Sequence, residues 1–462
     1  MNRSNGLRRL HGLSSSSKTN WANYKTKNYL HFDKRINLIN DEHMQANIQN
    51  PFWIASYAFL PSIHFTINFK KYVTVLNSEG AKIKEKKDKK REIYYSSHKD
   101  GFIYKYYGNL LNDAYNTYAK KNGIDQIAVA YRNNKRKKNN IHFAFEVFDF
   151  LLKQEQAIVI ALDFSSFFDK INHNLLKTNI KNVLGVNELS EDWYKIYKNI
   201  TKYSYVEKEA IDEFLLNKYG KKQLKKVRLK LQQIMKPSEF REFIKQKGQK
   251  NQNSYAIPQG SAISAVCSNV HLIDFDKQVL EWAQQKHPDA LYRRYCDDLI
   301  LVIPSVEASP KLLRDLKFEL LSLVKSYENA GLEIQDQKTE LRFYKDQTIY
   351  NENSKISSLD YLGFVLKDNT IQLREKSLFK YYSRAYKKVK TSNRIAYATK
   401  RPGPKRKLYD LYTHLGHHYK DFGNFNAYAK KAHLQMLKLP CKSHIRNQTK
   451  RHWKKIHSRL KP

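Results

Sequence analysis

The sequence predicts an α+β fold, and three observations predict it. Short runs of strand-forming residues, AIVIAL (Ala157–Leu162) and the two halves of LYRRYCDDLILVI (Leu291–Ile303), have the length and the β-branched or aromatic content of strands. Longer stretches such as IHFAFEVFDFLLK (Ile141–Lys153) carry apolar residues at helical spacing. The two kinds interleave without the strand–helix–strand rhythm of a parallel sheet, and no internal repeat is visible.

Met1–Asn20 is basic, serine-rich and free of acids, the composition of an exposed arm or, less aptly, a transit peptide. Residues 50–75 mix aromatic and β-branched residues and are expected to begin the folded body after a basic arm over 1–49. AKIKEKKDKKR (Ala81–Arg91) reads as an exposed charged loop. Ile103–Lys121 reads as a helix, Ile124–Arg132 as a strand and NNKRKKNN (Asn133–Asn140) as a polar turn. Residues 205–250, rich in Lys and Gln, read as a solvated helical insertion. SAISAVCSNVHLIDFDKQVLEWAQQ (Ser261–Gln285) reads as one long helix, and PKLLRDLKFELLSLVKSYENAG (Pro310–Gly331) as another.

Charge narrows the partner. The 84 Lys and Arg residues against 44 Asp and Glu leave a net charge of +40 in 462 residues. From Ile371 to Pro462 the count is 25 Lys and Arg against 3 acids, a net +22. Tyrosines sit among these cations, as in KYYSRAYKKVK (Lys380–Lys390). Cations grip phosphates and aromatic rings stack on bases, so nucleic acid is the expected partner. Any one tyrosine is as well explained by a helix core. No run approaches the roughly 18 apolar residues of a membrane span, and three scattered cysteines (Cys267, Cys296, Cys441) suggest a reducing compartment.

The chemistry is expected at three acids. Asp163 ends one buried strand, while Asp297 and Asp298 occupy the turn between two others. If the strands lie side by side, the carboxylates meet at one sheet edge and suit hard divalent cations. Two ions about 3.5–4 Å apart support in-line phosphoryl transfer. Because strand neighbours alternate faces, Asp297 is expected to be the nearer ligand and Asp298 the less certain one. For Asp-Asp alone, a capped hairpin would explain as much.

Five segments resemble the successive palm motifs of reverse transcriptases, in order: ALDFSSFFDKINH (Ala161–His173), IPQGSAISAVCSN (Ile257–Asn269), YCDD (Tyr295–Asp298), GLEIQDQKTEL (Gly331–Leu341) and LDYLGF (Leu359–Phe364). The resemblance covers residues 90–370 and, more loosely, the tail. It implies a right-hand polymerase, with an N-terminal extension and fingers over 50–155 and a palm with an antiparallel sheet over 156–370. A basic helical thumb that binds RNA would span 371–462. It further implies two Mg²⁺ held by Asp163, Asp297, Asp298 and the backbone carbonyl of Phe164. Phe168 matches the steric gate that excludes a ribose 2′-hydroxyl, and within this motif that role is preferred to core filling beside Phe167. Gln259 and Gly260 would lie under the templating pair, supported by Ser264 and Asn269 or merely followed by them. Lys338 would act as general acid near the leaving pyrophosphate, where an ordinary lysine is simply solvated. Leu362, Gly363 and Phe364 would grip the primer. Arg132, with Lys135–Lys138 nearby, is the candidate triphosphate clamp.

About 98 residues follow LDYLGF, which reads as too few for a thumb plus a ribonuclease H domain of about 100–150 residues. The retron landmarks are absent. SHKDGFIYKYYGNLLNDAY (Ser97–Tyr115), AYR (Ala130–Arg132) and GNFNAYAKKA (Gly423–Ala432) instead resemble stand-alone bacterial defence-associated reverse transcriptases. That resemblance implies a cytoplasmic enzyme taking dNTPs and copying a structured noncoding RNA into cDNA, with no membrane partner. Oligomeric state stays open. A retron-type enzyme, an RNA-templated RNA polymerase and a silent RNA-binding scaffold on a polymerase fold are the competing readings. Intact Asp163, Asp297, Asp298 and Phe168 favour an active DNA polymerase. Cys441, His444, His452 and His457 are loosely zinc-like in spacing, but RNA-facing or helix-packing roles fit so basic a stretch better.

Overall fold

The computed structural model describes residues 19–76, 82–334, 339–421 and 423–460. The chain divides into two compact units. The first comprises Met1–Asn134, Phe164–Lys277 and Lys325–Glu333; the second comprises Lys135–Asp163, Gln278–Val324 and Ile334–Pro462. In chain order the strands are β1 (Ser62–Leu76), β2 (Lys82–Tyr95), β3 (Gln156–Asp163), β4 (Ser204–Glu207), β5 (Gln249–Lys250), β6 (Leu291–Tyr295) and β7 (Asp298–Pro304). They continue as β8 (Glu340–Lys345), β9 (Thr348–Asn351), β10 (Leu359–Tyr361), β11 (Phe364–Lys367), β12 (Thr370–Leu373) and β13 (Lys442–Ser443).

The first unit holds a sheet of order β2-β1-β4-β5. β1 and β2 pair antiparallel from Ile63↔Tyr95 to Leu76↔Lys82. The charge run expected to be a loop is therefore a strand from Lys82 onward. A partner rich in Ile, Phe, Val and Thr supplies the ladder that the lysines alone would not nucleate. Conversely, Ile124–Arg132 is no strand. It is a chain of turns after the helix His98–Lys121, with Ile124, Ile127, Ala128, Val129 and Ala130 buried. Its apolar residues reflect burial, not pleating.

Two more expectations change. The helices Lys208–Lys230 and Pro237–Lys247 are not a solvated insertion. They bury Ile211, Leu215 and Phe243 with Ile234 and Met235 against Phe32, Ile63 and Val206. The folded body also begins well before residue 50, since Tyr24, Phe32, Leu38, Met44 and Ile48 are all buried. These are spaced too irregularly among polar residues to show a period. The first eighteen residues of the expected arm lie outside the described residues.

The second unit is built on the antiparallel sheet β6-β7-β3-β8-β9 and a smaller sheet β10-β11-β12-β13. One core joins them: Ala144, Val147, Phe148 and Leu151 of the helix Asn140–Leu152 meet Val159, Ile300, Val302, Phe364 and Ile371, with Ala432, Met436 and Ile445 from the tail. Fully burying each large aliphatic there contributes about 1.5–3 kcal/mol. Ile158 and Ile160 of β3 are buried as well, so the strand is covered on both faces and reads as an unbroken apolar run. A second cluster holds the helix Glu375–Thr399 through Tyr381, Ala385 and Val389 against Leu408 and Ile456. The expected single helix over 261–285 is two, Ala262–His271 and Ile273–Lys286, broken at Leu272. Among the described residues, no helix is long and apolar enough to cross a membrane.

Candidate active site

In the second unit β3 and β7 pair antiparallel so that Asp163 stands directly opposite Asp298. Directly opposed residues have Cα atoms about 4.5–5.5 Å apart and side chains on one face. Asp298, which the alternation argument ranked second, is thus the immediate cross-strand neighbour of Asp163. It is exposed, while Asp297 is half-buried in the two-residue turn between β6 and β7. The first central residue of that turn, Cys296, has φ +63°, a conformation hairpins usually give to glycine. Arg294 holds it from beneath: its side chain is fully buried and Nη1 donates to the Cys296 carbonyl at 2.8 Å. Arg293, on the other sheet face, interacts with Glu146 and Tyr361, while burial pulls its guanidinium below the ordinary value.

Among the described residues, no three His, Cys, Asp or Glu side chains stand close enough to hold a metal ion by themselves. This bears first on Cys441, His444, His452 and His457. Burial pushes the Cys441 thiol up to about 11, and His452 Nδ1 donates to the Thr449 carbonyl at 3.0 Å. It bears equally on Asp163, Asp297 and Asp298: the sheet sets Asp163 opposite Asp298 but does not gather all three around one point, and Mg²⁺ takes one or two protein carboxylates beside phosphate oxygens and water. Opposed hard carboxylates at a strand end fit the ion.

The primer-grip candidates form the turn between β10 and β11, closed by the pair Tyr361↔Phe364. Leu362 has φ +46° and Gly363 φ +92°. Phe364 is fully buried in the core and Leu362 packs against it. The Gly363 carbonyl accepts from the Arg374 N–H at 2.9 Å, and Arg374 pairs with Asp360.

The nucleotide-site candidates fall in the first unit. Phe164 and Phe167 are buried with stacked rings 5.8 Å apart, whereas Phe168 is only half-buried. Gln259 Nε2 donates to Asp169 at 3.2 Å, and burial raises the Asp169 carboxyl above its usual range despite that bond. Gly260 has φ +118°, and a Cβ there would lie 2.7 Å from the Tyr94 carbonyl. The glycine is thus required by β2, whose Tyr94 N–H donates to the Gln259 carbonyl at 2.9 Å. Ser264 donates to the Pro258 carbonyl at 2.8 Å, and Asn269 to the Ala130 carbonyl at 2.9 Å. Both brace the loops around them.

Arg132 departs from its expected role. Its guanidinium is fully buried, donates to Asn116, Asp125 and the Ala128 carbonyl, and lies 4.8 Å from the Tyr115 ring centroid. Those contacts occupy the fork that would have clamped a triphosphate. Lys338 lies outside the described residues. Sequence reasoning missed Arg294, for which the two adjacent arginines before YCDD were the signal.

An antiparallel sheet that delivers opposed aspartates to one end suits metal-dependent nucleotidyl transfer. The chain belongs to the reverse transcriptase (RNA-dependent DNA polymerase) family, which matches residues 121–366, more than half of its length. No curated protein matches it. Among solved structures it is similar to apo telomerase from Candida tropicalis truncated from its C-terminal domain, with 13% identity and a TM-score of 0.40. That match covers 70% of this chain and 59% of that one. Telomerase from Candida albicans in complex with a TWJ fragment of telomeric RNA gives 12% identity and a TM-score of 0.39 over 72% of this chain and 50% of that one. The chain thus spans between half and three fifths of these relatives.

Proposed function

We propose that the chain is an RNA-directed DNA polymerase that copies a structured partner noncoding RNA into cDNA, in the bacterial cytoplasm and in defence against phage. The opposition of Asp163 and Asp298 at the end of an antiparallel sheet carries the polymerase reading. Asp163, Asp297, Asp298 and the Phe164 carbonyl are the Mg²⁺ ligands in this reading. When bound, the two ions would lower the pKa of an attacking hydroxyl and stabilise the leaving pyrophosphate.

The chain's own residues do the rest. Phe168 excludes a 2′-hydroxyl and so selects dNTPs; its half-exposure beside the buried Phe167 supports that role over core filling. Gln259 and Gly260 underlie the templating pair, Leu362, Gly363 and Phe364 hold the primer end, and Lys338 protonates the leaving group. Arg132 orders its loop, and phosphate contact passes to the exposed Arg136 and Lys137. The +22 segment from Ile371 grips the RNA.

The defence assignment is supported by the segments around Ser97–Tyr115 and Gly423–Ala432. Sequencing the RNA and DNA that copurify from cells, with and without infection, tests it. One dominant RNA with DNA complementary to it is expected. Heterogeneous host RNA with no complementary DNA would reject a dedicated template.

A further inference from the structure

The turn of Tyr361–Phe364 needs an external hold. Both central residues, Leu362 and Gly363, lie in the left-handed region, and leucine carries a Cβ which that region disfavours. Asn140 Nδ2 donates to the Leu362 carbonyl at 3.0 Å and to the Tyr428 hydroxyl at 2.9 Å. A carbonyl oxygen only accepts, so the amide nitrogen must face it, and both amide protons are then used. Asn140 opens the helix Asn140–Leu152, whose N-cap Asn139 accepts from the Ile141 N–H. The same end of that helix also meets the acidic hairpin. Phe143 lies one turn on from Asn140, with its ring 6.3 Å from that of Tyr295, and Tyr295 is the cross-strand partner of Asp298. Tyr428, in turn, sits on the helix Phe425–Met436 with its ring 6.4 Å from Phe364.

We infer that Asn140 is a positioning residue for primer extension: it locks the Leu362–Gly363 turn to the helix that also abuts the aspartate hairpin. The inference rests on the polymerase reading above. It places the primer end and the carboxylates at a spacing set by one helix terminus, with Tyr428 tying the helix Phe425–Met436 to the same point.

The test uses the full chain, a synthetic RNA template and an annealed DNA primer. Asn140→Asp keeps the shape but turns a carboxylate toward the Leu362 carbonyl; Asn140→Ala removes the donor without adding charge. Either should raise the KM for primer–template about tenfold, as expected for one lost hydrogen bond beside an unpaired acceptor. The KM for dNTP and the melting temperature should stay near those of the wild type. Tyr428→Phe, which spares the Leu362 bond, should raise the primer–template KM only about twofold. Amide hydrogen exchange over residues 359–366 should quicken in both Asn140 variants, a readout that needs no activity. Unchanged exchange there overturns the inference, as does a defect confined to the dNTP KM. A wild-type chain that extends no primer overturns the polymerase reading instead, and the exchange result still decides whether Asn140 holds the turn.

Discussion

Asp163 and Asp298 face each other across β3 and β7, one at the last position of its strand and the other at the first of the next. Like charges directly opposed destabilise a sheet, and a divalent cation bound between them would offset that cost. Asp298→Ala should therefore cost as much nucleotide incorporation as Asp297→Ala, on the order of 10³-fold or more for a lost metal ligand. RNA retention in a filter assay should be unaffected. Primer extension by Asp298→Ala at the wild-type rate would falsify the assignment of this strand end.

Cys296 stores strain immediately before the acids. Its φ of +63° disfavours any side chain, most of all a β-branched one. Cys296→Val should destabilise the protein by about 1–3 kcal/mol, whereas Cys296→Gly should be near neutral. Thermal melting of the two variants checks this. A valine variant melting with the wild type would mean that the Arg294 contact to the Cys296 carbonyl does not hold the turn in that conformation.

Much of this site could be read from the chain because its signals are local. AIVIAL ends in Asp163 and LYRRY meets DLILVI at an acidic turn, and both strand pairs appear where the pattern puts them. What could not be read depends on the partner an element meets and not on its own pattern. β2 forms on lysine-rich sequence because β1 offers a ladder, and Arg132 is consumed by Asn116 and Asp125 on elements with no motif of their own. The break at Leu272 carries no Gly or Pro signal. The register that sets Asp298 opposite Asp163 likewise depends on where the turn begins, which alternation alone does not fix.

Phe168 separates a gate from core filler by what its loss does. Phe167 is buried and Phe168 half-buried in T-shaped contact at 5.6 Å. Phe168→Ala should raise rNTP incorporation relative to dNTP by about 10- to 100-fold, the scale of a removed steric clash worth about 1.4–3 kcal/mol. Competition between labelled rNTP and dNTP on one template measures it. An unchanged ratio, with lowered stability, would assign Phe168 to packing.

Gly260 is fixed by the close approach of the β2 backbone. Alanine there would meet the Tyr94 carbonyl at 2.7 Å in a backbone conformation unfavourable to a side chain. Gly260→Ala should cost about 2 kcal/mol or more through forced displacement of the loop or of β2. Urea unfolding reads the loss, and faster amide exchange at Tyr94 locates it, because that N–H donates to Gln259. Wild-type stability would show that the loop and strand part freely.

The first unit should also carry an acid sensitivity of predictable sign. His31 is fully buried, its Nδ1 accepts from the Phe32 N–H at 2.8 Å, and its Nε2 donates to the Tyr95 carbonyl at 3.3 Å. Protonating Nδ1 would set two N–H groups against each other. Burial pushes the imidazole down to about 4, against partial relief from Asp33. The unfolded chain takes up this proton near pH 6.5 and the folded one only near pH 4. Stability is therefore whole above about 6.5 and falls as pH drops toward 4, by about 3 kcal/mol from this group. Asp100 works in the opposite sense: burial raises its carboxyl to about 7, so its contribution weakens as pH rises from about 4 toward 7. The two slopes oppose each other, so the difference between variants is the clean measure. His31→Gln should remove the acid-side loss and leave the Asp100 slope exposed, making the variant more stable at pH 4.5 than at pH 7. Asp100→Asn should do the reverse and steepen the decline below pH 6.5. Urea midpoints taken every half pH unit for the three proteins decide the matter. Parallel curves would mean that neither group titrates with folding.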